Sequence, residues 1–267
     1  MPLLTLTKHH GLGNDFLVAV DPPVVPTADD AVRWCDRRRG VGADGLIVAT
    51  SEPTAGDADW AMVLYNADGS RAEISGNGIR CLGQALADHL GVAETVISVA
   101  SDAGLRRLQI GAADGPTRQV RVDMGAPSPG PGDFDGWAAT GISPSRQVSI
   151  DMGNPHIVAL VDNPAGVELS VVGPAVESAY PLGINVHFVS VDAPDHITLY
   201  VWERGAGVTD ACGSGACAAA VAAAQWQLTD GPVTVEMPGG SAIVEVTDTV
   251  HLTGPTTKIA TVTVEHG

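Results

Sequence analysis

The chain has 267 residues and a formal net charge of −17, with 14 basic residues against 31 acidic ones. That balance excludes nucleic acid and anionic membrane as partners, because both require a positive footprint. Hydrophobic residues make up 45% and no low-complexity tract occurs, so a folded protein with a substantial core is expected. The Ala-rich run after Gly215 is too short and too weakly hydrophobic to cross a bilayer, and no basic segment followed by an apolar core marks an export signal. Cys35, Cys81, Cys212 and Cys217 form no short disulfide framework and suit a reducing cytoplasm. No Cys-x-x-Cys or paired-His spacing supports a metal, and none is expected.

In chain order, residues 3–8 and 14–20 read as strands joined by His9-His10-Gly11-Leu12-Gly13. The spacing of Ala31, Val32, Trp34 and Cys35 predicts a helix over 29–38. Strands follow at 44–49 and 60–65, the second ending in the turn signal Asn66-Ala67-Asp68-Gly69-Ser70. A helix from Gly76 to about His89 puts Ile79, Leu82, Leu86 and Leu90 on one stripe, and strands are expected at 95–100, 106–110 and 118–123. The Pro/Gly-rich run Gly125 to Gly132 reads as a boundary linker. Beyond it come strands at 146–150, 156–161, 184–190 and 195–202, then a helix at 213–226. Short strands at 232–236, 241–246, 249–252 and 258–264 close the chain, with Gly254-Pro255 as a break before a last strand that returns to the first half.

The plan is carried twice. Cys212-Gly213-Ser214-Gly215 matches Ser75-Gly76-Asn77-Gly78, and each block stands ten residues after an aromatic strand end, Trp202 and Tyr65. Gly153-Asn154-Pro155-His156-Ile157-Val158 likewise resembles Gly13-Asn14-Asp15-Phe16-Leu17-Val18. Matched blocks in the same order imply two related halves. The first is expected at 1–123 plus 256–267 and the second at 124–255. Many short strands with one buried helix per half predict an α/β (α+β) fold of two pseudo-symmetric halves. Each half is a curved, barrel-like sheet around a central helix, with the active site in a cleft between them. A helix start opened by glycines offers unpaired N–H groups and the positive end of the helix dipole, which suits an anion and draws a cysteine toward thiolate. The two starts are therefore expected to grip one substrate, with Cys212 reactive and Cys217 packed and inert.

Asn66, Asn154, Asn185 and Arg204 flank the repeated blocks at strand ends or turns. Singly, each reads as a turn residue or a surface ion pair; together they suit a carboxylate pocket. His156 breaks the repeat, since its counterpart is Phe16, and reads as catalytic or orienting rather than as packing. No Gly-x-Gly-x-x-Gly with an acidic partner follows a strand, and Lys8 and Lys258 are the only lysines available to pyridoxal phosphate. Acid–base chemistry by side chains, without a cofactor, is the expectation.

His10-Gly11-Leu12-Gly13-Asn14-Asp15-Phe16, Asn66 to Ser70, Gly76 to Cys81, Gly153 to His156 and Glu203-Arg204 through Gly215 together resemble the diaminopimelate epimerase family, in order and over nearly the whole chain. The resemblance implies two α/β halves and epimerisation between LL- and meso-diaminopimelate in lysine and cell-wall precursor synthesis, without pyridoxal phosphate. It makes Cys212 one of two catalytic groups, with His156 and Glu203 assisting. Asn14, Asn66, Asn154, Asn185 and Arg204 hold the substrate, and Gly76-Asn77 with Gly213-Ser214 bind its α-carboxylate. A cytoplasmic homodimer is expected. The chain departs from the family pattern at Ser75, where the second catalytic cysteine belongs, and at Val208-Thr209, where Glu-Thr is usual. A hydroxyl is a far weaker acid than a thiol. Two other readings therefore stand beside the first: a one-thiol isomerase or dehydratase of another amino acid, and a binding protein that has lost turnover.

Overall fold

A computed structural model describes residues 2–51 and 58–266. The chain forms two compact units, one holding the residues up to Asp123 and from Thr253 onward, the other Met124–Leu252. The first unit contains β1 (Leu3–Gly11), β2 (Asn14–Val20), α1 (Ala28–Cys35), β3 (Gly45–Thr50), β4 (Trp60–Asn66), β5 (Arg71–Ala72), α2 (Gly76–Leu90), β6 (Thr95–Ser101), β7 (Gly104–Asp114) and β8 (Thr117–Asp123). The second contains β9 (Ser128–Pro129), α3 (Trp137–Thr140), β10 (Arg146–Asp151), β11 (Pro155–Leu160), α4 (Leu169–Glu177), β12 (Asn185–Ala193), β13 (His196–Glu203), β14 (Gly207–Thr209), α5 (Gly213–Gln225), β15 (Val233–Met237) and β16 (Gly240–Val246). The last strand, β17, is Val250–Glu265.

In the first unit β1 pairs antiparallel with β2, β2 parallel with β3, β3 antiparallel with β4, β4 parallel with β6, and β6 antiparallel with β7. The second repeats the sequence through β10, β11, β12, β13, β15 and β16. The expected pseudo-symmetry is thus present strand by strand. β8 pairs with β7, and β17 pairs with both β8 and β1, so the first sheet closes into a barrel of eight strands. Inside it, α2 is buried without interruption from Gly76 to Ala87; its counterpart α5 is buried from Gly213 to Ala223. An enclosed helix has no solvent face, which is why α5 carries Ala and Val where a surface helix would carry charge.

Strands between two helical layers need apolar side chains on both faces. Leu17, Ala19, Leu46 and Val48 pack on Ala31 and Trp34 of α1, while the alternate residues of the same strands face α2. The second unit sets Ile157, Ala159, Val186 and Phe188 against Leu169, Val172 and Val176 of α4.

Three local expectations are revised. The helix predicted over 29–38 stops at Cys35, because the Asp36 carboxylate accepts the N–H groups of Arg38 at 2.7 Å and Arg39 at 2.8 Å and starts a turn. The linker contains β9, whose Ser128 and Pro129 pair with Asp151 and Ile150. Gly254-Pro255 does not break β17: β1 pairs with it only from Thr257 onward, so the missing proline N–H costs no bond in that ladder. Helix α4, in a stretch with no sequence expectation, contains Pro174 and packs against Trp202 at Gly173. A Cβ on Gly173 would come within 2.3 Å of that ring, whose Nε1 donates to Glu177 at 2.7 Å.

A charged brace fixes the start of β2. Asp15 takes Lys8 at 2.9 Å and Arg37 at 2.7 Å, and Arg37 also reaches Asp44 at 2.6 Å. Burial pushes the Asp15 carboxyl up, but the hydrogen bonds and charges of Arg37 and Lys8 outweigh it and hold it below its usual value. A carboxyl depressed by folding adds stability above an unfolded pKa of about 4 and loses it as pH falls through the folded value. Asp15→Asn is therefore expected to cost roughly 2 kcal/mol at neutral pH, between the limits for exposed and buried pairs. It should also flatten the acid limb of stability. Urea midpoints measured from pH 3 to pH 7 check both, and parallel curves for variant and parent would contradict the assignment.

Candidate functional site

Ser75 and Cys212 cap α2 and α5 in nearly the same extended conformation, with φ −130° and ψ 122° for Ser75 and φ −125° and ψ 114° for Cys212. Ser75 Oγ accepts the Gly78 N–H at 3.0 Å, and Cys212 Sγ accepts the Gly215 N–H at 3.3 Å. Each cap satisfies one of the N–H groups that a helix start leaves over. Gly76, Asn77, Gly213 and Ser214 are all buried, so an anion at either start meets little competition from water.

In the first unit Asn77 is held from both sides. Arg80 Nη2 donates to its Oδ1 at 2.8 Å, and its own Nδ2 donates to Asn14 Oδ1 at 3.3 Å. Arg80 is fully buried and also donates to the Gly76 carbonyl at 3.0 Å. Asn14 Nδ2 in turn donates to Asp44 at 2.8 Å, which ties the helix start to the brace around Asp15. Asn66 serves its own turn, donating from its backbone N–H to the Ser70 carbonyl at 2.8 Å and from Nδ2 to Ser70 Oγ at 2.9 Å. Asn14, Gly76 and Asn77 thus form one bonded group, and Asn66 lies outside that group.

In the second unit Asn185 braces two segments, its Nδ2 donating to the Pro155 carbonyl at 2.9 Å and its Oδ1 accepting the Arg204 N–H at 3.0 Å. Register places Asn185 beside His156 in the parallel pair of β11 and β12. His156 is fully buried, with Nε2 at 2.8 Å from Asn154 Oδ1 and Nδ1 at 2.8 Å from His187 Nε2. Burial drives both imidazoles toward neutrality: His156 lies well below its ordinary value, with His187 and Arg204 adding to the effect, and His187 falls to about 3. Glu203 ends β13 and accepts the Thr209 hydroxyl. Arg80, Asp44 and His187 were given no site role from sequence. His187 lies two residues beyond Asn185, the register partner of His156, and only the folded contact brings it to His156.

The thiol itself departs from expectation. Burial foremost, then the Glu203 charge, pushes Cys212 well above the ordinary 9.0, against the Gly215 N–H and the Ser214 hydroxyl, which pull it down. The N–H groups are where the sequence places them, but they are outweighed in the resting protein. Cys217, as expected, is fully buried. A cavity lined by Gln84, Asp88, Pro116, Arg118 and Lys258 lies near the far end of α2; Asp88 there is paired with Arg118 at 3.3 Å and Lys258 at 3.5 Å.

A family model described as diaminopimelate epimerase matches residues 6–129 and 148–259. The diaminopimelate epimerase of Synechococcus elongatus is 39% identical over 273 residues, covering 96% of both chains. That of Cyanothece sp. is 40% identical over 288 residues, covering 96% of this chain and 98% of its own. Among solved structures, a phenazine biosynthesis protein of the PhzF family from Bacillus anthracis superposes with a TM-score of 0.76 at 17% identity, over 100% of both chains. A hydroxyproline epimerase from Agrobacterium vitis does so with a TM-score of 0.75 at 15% identity, over 98% of this chain and 92% of that one. At such identities the structures share the fold.

The buried thiol makes a kinetic prediction. Labelling of Cys212 by iodoacetamide in the free protein should be slow at neutral pH and rise without a plateau up to pH 9. Glu203→Gln, which removes the adjacent negative charge, should speed it. Mass spectrometry of the labelled peptide reads both rates, and a plateau near pH 7 would mean a resting thiolate.

Proposed function

We propose that this chain, which belongs to the diaminopimelate epimerase family, interconverts LL- and meso-2,6-diaminopimelate in lysine and cell-wall precursor synthesis without pyridoxal phosphate. The observation that carries the reading is the matched pair of helix starts, one capped by a thiol and the other by a hydroxyl. Epimerisation needs a base on one face of Cα and an acid on the other. A substrate α-carboxylate taken by the N–H groups of Gly213-Ser214 and Gly76-Asn77 gains stabilisation that grows as carbanion charge spreads onto it.

Cys212 exchanges the proton on its face. The Glu203 charge that raises the thiol's pKa is also the nearby acceptor for its proton, and a substrate ammonium beside the sulfur favours thiolate. Ser75 occupies the opposite role with a weaker acid, so its face limits the rate. His156 orients Asn154; Asn14, Asn66, Asn154, Asn185 and Arg204 hold the rest of the substrate. The cofactor-free reading is supported by the lysines, since Lys8 is bound to Asp15 and the Gly42 carbonyl and Lys258 to Asp88. A cytoplasmic homodimer completes the reading, and four free, buried cysteines favour the reducing compartment. Ser75 also supports a second reading, in which Cys212 alone removes an α-proton while a leaving group departs from Cβ.

Exchange of the Cα proton in D₂O separates these. Both isomers should incorporate deuterium, and Cys212→Ala should abolish it while the fold persists. Ser75→Cys should raise turnover, on the order of the 10²-fold or more that a competent proton-transfer group contributes. No exchange from either isomer, even in Ser75→Cys, rejects the family activity for this chain. A keto acid formed from a β-hydroxy amino acid would favour the second reading.

A further inference from the structure

We propose that His187 is a positioning residue that fixes which nitrogen of His156 carries the proton, and through it which end of the Asn154 amide is offered to substrate. The inference rests on the epimerase reading only for its kinetic consequence.

The two units can be compared seat by seat. In the parallel pair β2–β3, Phe16 stands opposite Gly45 and Val18 opposite Ile47; in β11–β12, His156 stands opposite Asn185 and Val158 opposite His187. His156 therefore occupies the seat of Phe16, and His187 that of Ile47. In the first unit both seats lie under the first turn of α2, and in the second the His187 seat lies under that of α5. A Cβ built on Gly78 would meet Ile47 Cδ1 at 3.2 Å and Phe16 Cζ at 3.3 Å, whereas one built on Gly215 would meet His187 Cε1 at 2.4 Å. The two matched positions are thus apolar in the first unit and imidazole in the second.

Ile47 and Phe16 fill these seats with no polar atom, so the architecture does not require one. Two fully buried imidazoles carry a desolvation cost that an apolar pair avoids. His187 Nδ1 is buried and, among the described residues, without a hydrogen-bond partner. Such a cost is accepted where the other nitrogen has a task.

The task follows from the chain of bonds. Asn154 Oδ1 only accepts, so His156 Nε2, 2.8 Å away, carries the proton. With His156 neutral, its Nδ1 accepts, and His187 Nε2 at 2.8 Å is the donor. The bonds run one way, from His187 through His156 to Asn154. They occupy the Asn154 oxygen and leave its Nδ2 as the group facing a ligand, which suits a carboxylate. Without the His187 donor the other His156 tautomer becomes available, the Asn154 amide can reverse, and an oxygen replaces the N–H₂ toward the substrate.

The test begins with the parent protein, ¹⁵N-labelled at histidine, and needs no turnover. His156 is expected protonated at Nε2 and bare at Nδ1, with a scalar coupling to His187 Nε2 across the N–H···N bond. A proton on His156 Nδ1 overturns the proposal, whether or not the protein epimerises diaminopimelate. His187→Ile, which installs the residue of the matched seat, should release the His156 tautomer and lower kcat/KM by about five- to a hundred-fold, the range for a lost donor to a buried acceptor. His187→Gln keeps an N–H donor and should restore both. Wild-type kinetics in His187→Ile, or a loss of rate with the tautomer unchanged, would reduce His187 to packing. If the Ile variant does not fold, the parent spectrum and the Gln variant decide.

Discussion

A helix shut inside a closed sheet cannot send its first turn into solvent, and this constraint shapes the protein. The start of such a helix leaves four N–H groups without intrahelical partners, and one cap side chain satisfies one of them. Ser75 and Cys212 do this for Gly78 and Gly215. The residues that follow the caps, Gly76, Asn77, Gly213 and Ser214, are buried. In the proposed reading, a bound anion meets the dipoles of both helix starts. The alanine-rich body of α5 belongs to the same constraint, since strands on every side leave room only for small side chains.

Repetition of the unit then permits division of labour. Strand order, pairing sense and cap geometry are retained, while side chains at matched seats have diverged. Gly45 corresponds to Asn185, Phe16 to His156, Ile47 to His187 and Ser75 to Cys212. The first unit spends its polar groups on fixing the backbone, through Arg80, Asn77, Asn14 and the Asp15 brace. The second places imidazoles, a carboxylate and a thiol around its helix start. An apolar seat in one copy marks a polar seat in the other as dispensable for folding, a comparison that a single unit cannot offer.

Much of this was legible in the chain. The repeated Gly-x-Gly blocks, the alternation of the strands and the apolar run of α5 follow from local periodicity, and the family motifs name the groups proposed to hold the substrate. What escaped depends on contacts distant in sequence. Helix α4, which carries Gly173-Pro174, had no expectation from sequence, and its packing on Trp202 appears only in the fold. Gly254-Pro255 reads as a turn until the β1 ladder is seen to begin two residues later. His187 sits inside an ordinary apolar strand, and only its neighbours make it significant. The charge state of Cys212 was misread because a helix dipole can be seen in a motif, whereas the burial that outweighs it belongs to the whole fold.

That burial has a consequence for damage. Peroxides attack thiolates far faster than thiols. Cys35 and Cys81 are pushed up to about 12 and about 11 by burial, and Cys212 stays protonated at rest, so these three sulfurs offer an oxidant little to attack. In the proposed mechanism, vulnerability at Cys212 is confined to the moments when a bound substrate ammonium brings positive charge to the sulfur. Oxidative inactivation should therefore track occupancy, and the resting protein stores its sulfur in the form that survives.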